Sequence, residues 1–283
     1  MKTGLILEGG AMRGMFTCGV IDVFLENDIP FDGAAGISAG AVFGCNYKSR
    51  QPGRALRYNK CYCRDWRYCS LRSLLLTGDL YGADFCYREL PDVLDPFDRV
   101  AFRENPMAFF IGATDVETGE AVYHRCTDGG AEDMLWLRAS ASMPVVSRPV
   151  EVGERRLLDG GIVDAVPLAF METQGYDRNV AVLTQPKGYR KAPARGLPLL
   201  RLALRRWPKV AEAMAVRHER YNRQMDGIDA REAAGALLVI RPPEPLGISR
   251  TEKDPDELER VYRLGRAQAL ERLDEVRACL GIQ

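Results

Sequence analysis

The sequence predicts an α/β fold of three layers, with helices on both faces of a mainly parallel central sheet. Two observations lead there. Short runs of apolar, often branched residues recur along the chain, at Thr3–Leu7, Met107–Val116, Val180–Thr184 and Ala236–Arg241. Segments whose apolar residues repeat at helical spacing lie between them. Strands alternating with helices make a parallel sheet, because each crossover helix covers one of its faces.

Taken in order, Thr3–Leu7 reads as a buried strand, and Gly9, Gly10 and Gly14 make the following turn permissive. Met15–Glu26 is apolar at most positions, which fits a helix buried on more than one side, ended by Asn27-Asp28-Ile29-Pro30. Phe31–Gly36 is a second strand, and a second helix starts at Ala39. Residues 49–98, rich in Arg, Tyr and Leu, read as irregular helix and as a candidate cap. Met107–Val116 and Ala121–Arg125 form a hairpin around Glu117-Thr118-Gly119-Glu120. Ala131–Ala141 is a helix that ends before Pro144, and Arg156–Leu158 leads as a strand into Asp159-Gly160-Gly161. Val180–Thr184 and Ala236–Arg241 suit central strands. Arg201–Asn222 and Pro255–Leu280 read as two long helices, the second with Asp254 as N-cap and Pro255 in its first turn. The one soft joint is Gln185–Pro198. It divides the chain into residues 1–185, the main domain, and residues 186–283, an extension of helices and strand packed on the same domain.

Composition narrows the function classes. The chain has 283 residues, 46% hydrophobic and 28% charged, a globular profile. A formal net charge of zero gives no nucleic-acid signal. The N-terminus has too short an apolar run for a signal peptide, and no stretch approaches the roughly 18 apolar residues of a membrane span. A cytoplasmic protein is expected, and its eight cysteines are then reduced thiols. Cys61-x-Cys63-x5-Cys69 lacks a paired knuckle and a nearby histidine, so no metal or other cofactor is expected.

Gly36-Ile37-Ser38-Ala39-Gly40 has the form of a nucleophile elbow, a sharp strand-to-helix turn that presents a serine hydroxyl. The pattern also arises by chance, but here an apolar strand precedes it and small residues follow. Such a turn needs small neighbours because its backbone is strained and its strand and helix pack closely. The loop Gly9-Gly10-Ala11-Met12-Arg13-Gly14 fails the dinucleotide pattern, because Ala11 stands where the second glycine belongs. Its exposed amides fit an oxyanion hole, where Ala11 is tolerable if its φ is negative. Arg13 either serves that loop, steadying it or attracting an anionic head group, or forms a structural salt bridge.

A serine nucleophile needs a base, and the chain has only two histidines, His124 and His218, neither within a catalytic motif. Asp159 is the better candidate: it ends a strand, and two glycines let the backbone turn beside it. Asp128-Gly129-Gly130 repeats the tripeptide but follows a polar pair, so it reads as an ordinary turn.

These pieces, in this order, resemble the patatin-like phospholipases, from about residue 3 to 185. The resemblance implies a Ser–Asp dyad of Ser38 and Asp159 that uses no histidine. It also implies an oxyanion loop of Gly9, Gly10, Ala11, Arg13 and Gly14, and an elbow framed by Gly36 and Gly40. Ala139-Ser140-Ala141-Ser142-Met143-Pro144 looks like the family's segment ahead of the aspartate, and Asp164 and Pro167 fit its continuation. Ala11 departs from the family's usual third glycine.

The implied activity is that of a serine acyl hydrolase of lipase or phospholipase A type, cleaving fatty acyl esters of lipids. The alternative is a non-catalytic lipid- or protein-binding module on the same scaffold. A third reading is a histidine-using esterase with His218 as base. Between Lys187 and Arg223 eleven Lys or Arg stand against two acidic residues, interleaved with Leu199, Leu200, Leu202, Leu204 and Trp207. Such a segment either binds an anionic membrane surface, which would bring the protein peripherally to the inner membrane, or packs its leucines on the core. The second reading is favoured. Oligomeric state, the lipid and the acyl position are not legible.

Overall fold

Eight strands join in one sheet: β1 (Lys2–Leu7), β2 (Gly33–Ile37), β3 (Ala108–Asp115), β4 (Ala121–Arg125), β5 (Val150–Val152), β6 (Arg155–Asp159), β7 (Tyr176–Val182) and β8 (Leu238–Ile240). The computed structural model describes residues 1–282. The order is β5-β6-β3-β2-β1-β7-β8, with β4 also on β3. The pairs from β3 through β8 along this order are parallel, while β4 and β6 run antiparallel to β3.

The β3 register sets up the site. β4 occupies one edge of β3 across Phe110–Thr114, so β2 and β6 share the other edge end to end. β2 ends with Ile37 opposite Gly112, and β6 ends with Asp159 opposite Ala113. Residues 37 and 159 are thereby placed against consecutive positions of one strand.

Alternation along the strands fills both faces. Leu5 and Leu7 of β1 point into a core with α1 (Gly14–Glu26), α2 (Ala39–Lys48) and the C-terminal helices, and Ile6 points into the opposite core. Between α2 and β3 lie α3 (Arg54–Tyr62), α4 (Leu71–Thr77), a π-helical stretch Phe85–Leu94 and α5 (Arg99–Glu104). α6 (Ala131–Ser140) precedes the β5–β6 hairpin, and α7 (Leu168–Thr173) covers the second face.

Three expectations are corrected. Residues 201–222 do not form one helix. They divide into α8 (Leu197–Ala203), α9 (Pro208–Ala215) and α10 (Arg217–Ala233). Pro208 cannot donate to the preceding turn, and it sits instead at the first turn of α9. Residues 255–280 likewise divide, into α11 (Pro255–Glu271) and α12 (Leu273–Leu280), at Arg272, whose guanidinium bonds the Val239 carbonyl. At the start of α11, Asp254 accepts from the Asp256 amide as its N-cap. β8 closes one edge of the sheet and is not central; its apolar run is explained by α10 on one face and α12 on the other.

The favoured reading of the basic segment holds for Leu204, which is buried, and fails for two other leucines. Leu199 and Leu202 are 73% and 62% exposed. Among the described residues, no helix is long and apolar enough to cross a membrane.

Candidate active site

Ser38 follows β2 directly and precedes α2, at φ 53° and ψ −122°. A non-glycine residue rarely adopts such a conformation, and it persists only where the surroundings over-determine it. Two glycines make it feasible. A Cβ on Gly36 would lie 2.6 Å from Gly40 backbone atoms, and one on Gly40 would lie 2.4 Å from the Leu7 carbonyl oxygen. The elbow amide is also tied down: Ser38 N donates to Ser140 Oγ at 2.8 Å, and Ser140 Oγ donates to the Gly112 carbonyl at 2.6 Å.

Asp159 arrives from β6 beside this turn. Ser38 Oγ donates to Asp159 Oδ2 at 2.7 Å, and Gly161 N donates to Oδ1 at 2.7 Å. The backbone of Asp159 is held by Thr114 Oγ1 on its carbonyl and by the Ser142 carbonyl on its amide. Burial pushes the Asp159 carboxyl above its ordinary range, opposed by the Ser38 hydroxyl, the Arg217 guanidinium and the Gly161 amide.

The glycine loop lies against the elbow, since a Cβ on Gly9 would meet Ser38 Cβ at 3.1 Å. Its amides divide into two groups. Gly9, Arg13 and Gly14 donate within the fold, to Ala165, Gly10 and Ala11 respectively. The amides of Gly10 and Ala11 have no acceptor among the described residues. Ala11 sits at φ 49°, contrary to the expected negative value; the loop needs a left-handed residue there, which glycine adopts without strain. Arg13 makes no salt bridge among the described residues, so of its two readings the structural ion pair is the one not found.

These groups open on a cavity of about 370 Å³ lined by Ser38, Asp159 and the loop. Its apolar wall includes Val42, Phe43, Tyr58, Leu90 and Phe97, much of it from the segment expected as a cap. Lys191, Arg217 and Arg250 line the same cavity, and sequence reasoning did not single them out. Neither histidine lines it. His124 bonds Asp133, and His218 lies 3.9 Å from Glu219, so the histidine-using esterase has no base in reach.

Among the described residues, Cys61, Cys63 and Cys69 do not bring their sulfur atoms close enough to share an ion, and Cys61 is exposed while the other two are buried. His124, Cys126 and Asp133 do gather, but Asp133 is already committed to His124 and the amides of Thr127, Asp128 and Gly129.

A family model described as patatin-like phospholipase matches residues 5–171. The chain belongs to the patatin-like phospholipase family. A second model, described as a domain of unknown function, matches residues 207–281. Among similar proteins, an uncharacterized NTE family protein of Mycobacterium tuberculosis is 28% identical over 69% of this chain and 51% of its own length. The uncharacterized protein YjjU of Escherichia coli is 30% identical over 65% of this chain and 52% of its own. Lysophospholipase nte1 of Aspergillus oryzae is 24% identical over 98% of this chain but 18% of its own. The chain thus spans about half the length of the first two relatives, and less of the third. The crystal structure of VipD from Legionella pneumophila superposes with a TM-score of 0.47 at 13% identity, over 96% of this chain and 66% of that one. The central sheet and its two helical layers are what this patatin-like chain builds around the Ser38 elbow.

Proposed function

We propose that the protein is a serine acyl hydrolase that cleaves fatty acyl esters of lipids, with Ser38 as nucleophile and Asp159 as base. The observation that carries this reading is the 2.7 Å bond from Ser38 Oγ to Asp159 Oδ2 beside a cavity with an apolar wall. Asp159 takes the hydroxyl proton as Oγ attacks the ester carbonyl. The free amides of Gly10 and Ala11 receive the oxyanion. The tetrahedral intermediate collapses, the leaving alcohol takes the proton from Asp159, and an acyl-enzyme remains. Water, deprotonated by the same carboxylate, then releases the fatty acid. Burial of Asp159 supports its role, because raising the carboxyl narrows the gap to a weakly acidic hydroxyl and excludes competing water.

The name lysophospholipase, carried by the fungal relatives, supports a lipid substrate for this chain. Exposed Leu199 and Leu202, alternating with basic residues, support peripheral contact with an anionic membrane surface. Co-sedimentation with vesicles that does not respond to anionic lipid would remove that part.

Ser38→Ala and Asp159→Asn should each abolish ester hydrolysis while the protein stays folded, and a fluorophosphonate should label the wild type at Ser38. Full activity in either variant refutes the dyad. An unlabelled, folded wild type without hydrolysis favours the non-catalytic binding module instead.

A further inference from the structure

We propose that Arg13, Lys191, Arg217 and Arg250 form a subsite for the phosphate of an acyl glycerophosphate, next to the scissile ester. The inference rests on the acyl hydrolase reading and names its substrate class: fatty acyl esters whose alcohol carries a phosphomonoester.

All four cations line the cavity that holds Ser38 and Asp159, and they converge from separate parts of the chain. Arg13 comes from the glycine loop. Lys191 comes from the segment after β7, clamped to α10 because its amide donates to Asn222 Oδ1 and its carbonyl accepts from Asn222 Nδ2. Arg217 begins α10 and donates from Nε to the Gly161 carbonyl at 2.6 Å, two residues beyond Asp159. Arg250 sits on the loop before α11, whose position is fixed where the Tyr81 hydroxyl donates to the Arg250 carbonyl.

None of the four forms a salt bridge among the described residues, although arginines elsewhere on the molecule are widely paired. The carboxylates that face them are Asp159 and Glu8, and both are committed. Asp159 holds Ser38 and Gly161, while buried Glu8 accepts from Thr184 and from the Tyr221 hydroxyl. Arg13 Nε is buried without any partner. Lys191 Nζ lies 3.9 Å from the centre of the Tyr221 ring, facing π-electrons in place of a counter-ion. Four basic groups against two occupied carboxylates leave the cavity short of negative charge. Burial and the neighbouring Arg217 push the Lys191 ammonium down to about 7, and Arg13 and Arg250 push the same way. Arg250 is exposed to solvent, but collecting the unpaired Arg13, Lys191 and Arg217 in a partly dry site is unfavourable unless an anion joins them.

The apolar part of the lining, with Val42, Phe43, Tyr58, Leu90 and Phe97, suits an acyl chain. An ester laid across Ser38 therefore directs its fatty chain to one side and its alcohol toward the cations. A dianionic phosphomonoester matches several fixed cations better than a zwitterionic choline ester, whose quaternary ammonium they repel. Lys191, Arg217 and Arg250 all lie beyond the patatin-like match at residues 5–171, and two of them lie within the 207–281 match. The subsite gives the C-terminal extension a role in substrate choice.

The test compares three esters with one acyl chain: a 1-acyl glycerol 3-phosphate, the corresponding lysophosphatidylcholine and the monoacylglycerol. The expected kcat/KM is about 10- to 100-fold higher for the phosphomonoester than for the monoacylglycerol, mainly through KM. That ratio should fall about tenfold in Lys191→Ala and in Arg250→Ala, and fall less in Arg250→Lys. A wild type that treats the three esters alike overturns the subsite, as does a ratio unmoved in both alanine variants. Glycerol 3-phosphate should inhibit competitively at lower concentration than inorganic phosphate; equal inhibition by the two assigns a free-phosphate site and overturns the head-group role. Fluorophosphonate labelling of Ser38 reports the dyad separately, so labelling without phosphate preference sinks this inference alone. If no ester is hydrolysed, calorimetry with glycerol 3-phosphate decides. Binding weakened about tenfold in the alanine variants supports the subsite, and no binding to the wild type ends it.

Discussion

Ser140 Oγ lies 2.8 Å from the amide nitrogen of Ser38 and 2.6 Å from the carbonyl oxygen of Gly112, bridging the elbow to β3. The elbow amide would otherwise be unpaired, in a backbone already at φ 53°. Ser140→Ala removes the acceptor and leaves a part-buried donor unmet, which costs about 1–3 kcal/mol. Because the residue positions Ser38 and touches no substrate, kcat should fall while KM stays near its wild-type value. Ser140→Thr, which keeps the hydroxyl, should restore part of kcat. Steady-state kinetics beside a denaturant melt would check this; lost stability with unchanged kcat would show that the bridge only holds the fold.

Ala11 carries the one departure from the family's glycine loop, at φ 49°. An L-residue there is strained by roughly 1–2 kcal/mol, against a smaller entropic penalty for glycine in the unfolded chain. Ala11→Gly should therefore stabilise the protein by about 1 kcal/mol, raising Tm by about 2–4 °C. Thermal melts at fixed scan rate decide the matter, and a lower Tm would mean the position is not strained.

Much of the site was legible because its signals are local. The elbow is five consecutive residues, and Asp159-Gly160-Gly161 announces a turn at the end of a strand. What joined them was not legible. The meeting of Ser38 and Asp159 depends on β2 and β6 sharing one edge of β3, a register set by pairings across the sheet. Ser140 was visible only as part of a family-like segment, since nothing local marks a hydroxyl that will accept an amide 102 residues away. Lys191 and Arg217 were absorbed into a basic stretch, because counting charges cannot tell which side chains turn inward. The division of residues 201–222 was within reach: Pro208 stands in the middle, and apolar periodicity was followed across it. The positive φ of Ala11 was not, since alanine carries no sign of it.

Gly19 on α1 and Gly265 on α11 let two helix backbones touch. A Cβ on Gly19 would fall 2.0 Å from the Tyr262 carbonyl oxygen, and one on Gly265 would fall 2.0 Å from that of Phe16. Helix propensity favours alanine by about 1 kcal/mol, but overpacking against rigid backbone costs about 1–3 kcal/mol or more. Each single alanine substitution should thus destabilise on balance. The double variant should lose less than the sum, because one separation of the helices relieves both contacts. Strict additivity in denaturant unfolding would show that the two contacts yield independently.

Asp22 joins the same helices, since its Oδ2 accepts from the Tyr262 hydroxyl at 2.7 Å and from the Gly53 amide at 2.8 Å. Burial pushes its carboxyl up to about 6, with the two hydrogen bonds opposing. A carboxyl raised in the folded state binds more protons there than in the unfolded chain. Its contribution to stability is therefore full below the unfolded value near 4 and is lost as pH rises through about 6. Asp22→Asn keeps an oxygen for both donors and cannot ionise. Relative to wild type, the variant should gain about 2 kcal/mol of stability on going from pH 4.5 to 7.5. Denaturant melts of both proteins across that range measure the difference directly, cancelling the other titrating groups. Parallel profiles would mean that Asp22 ionises at its ordinary value, and that the α1–α11 contact tolerates a buried charge at no cost.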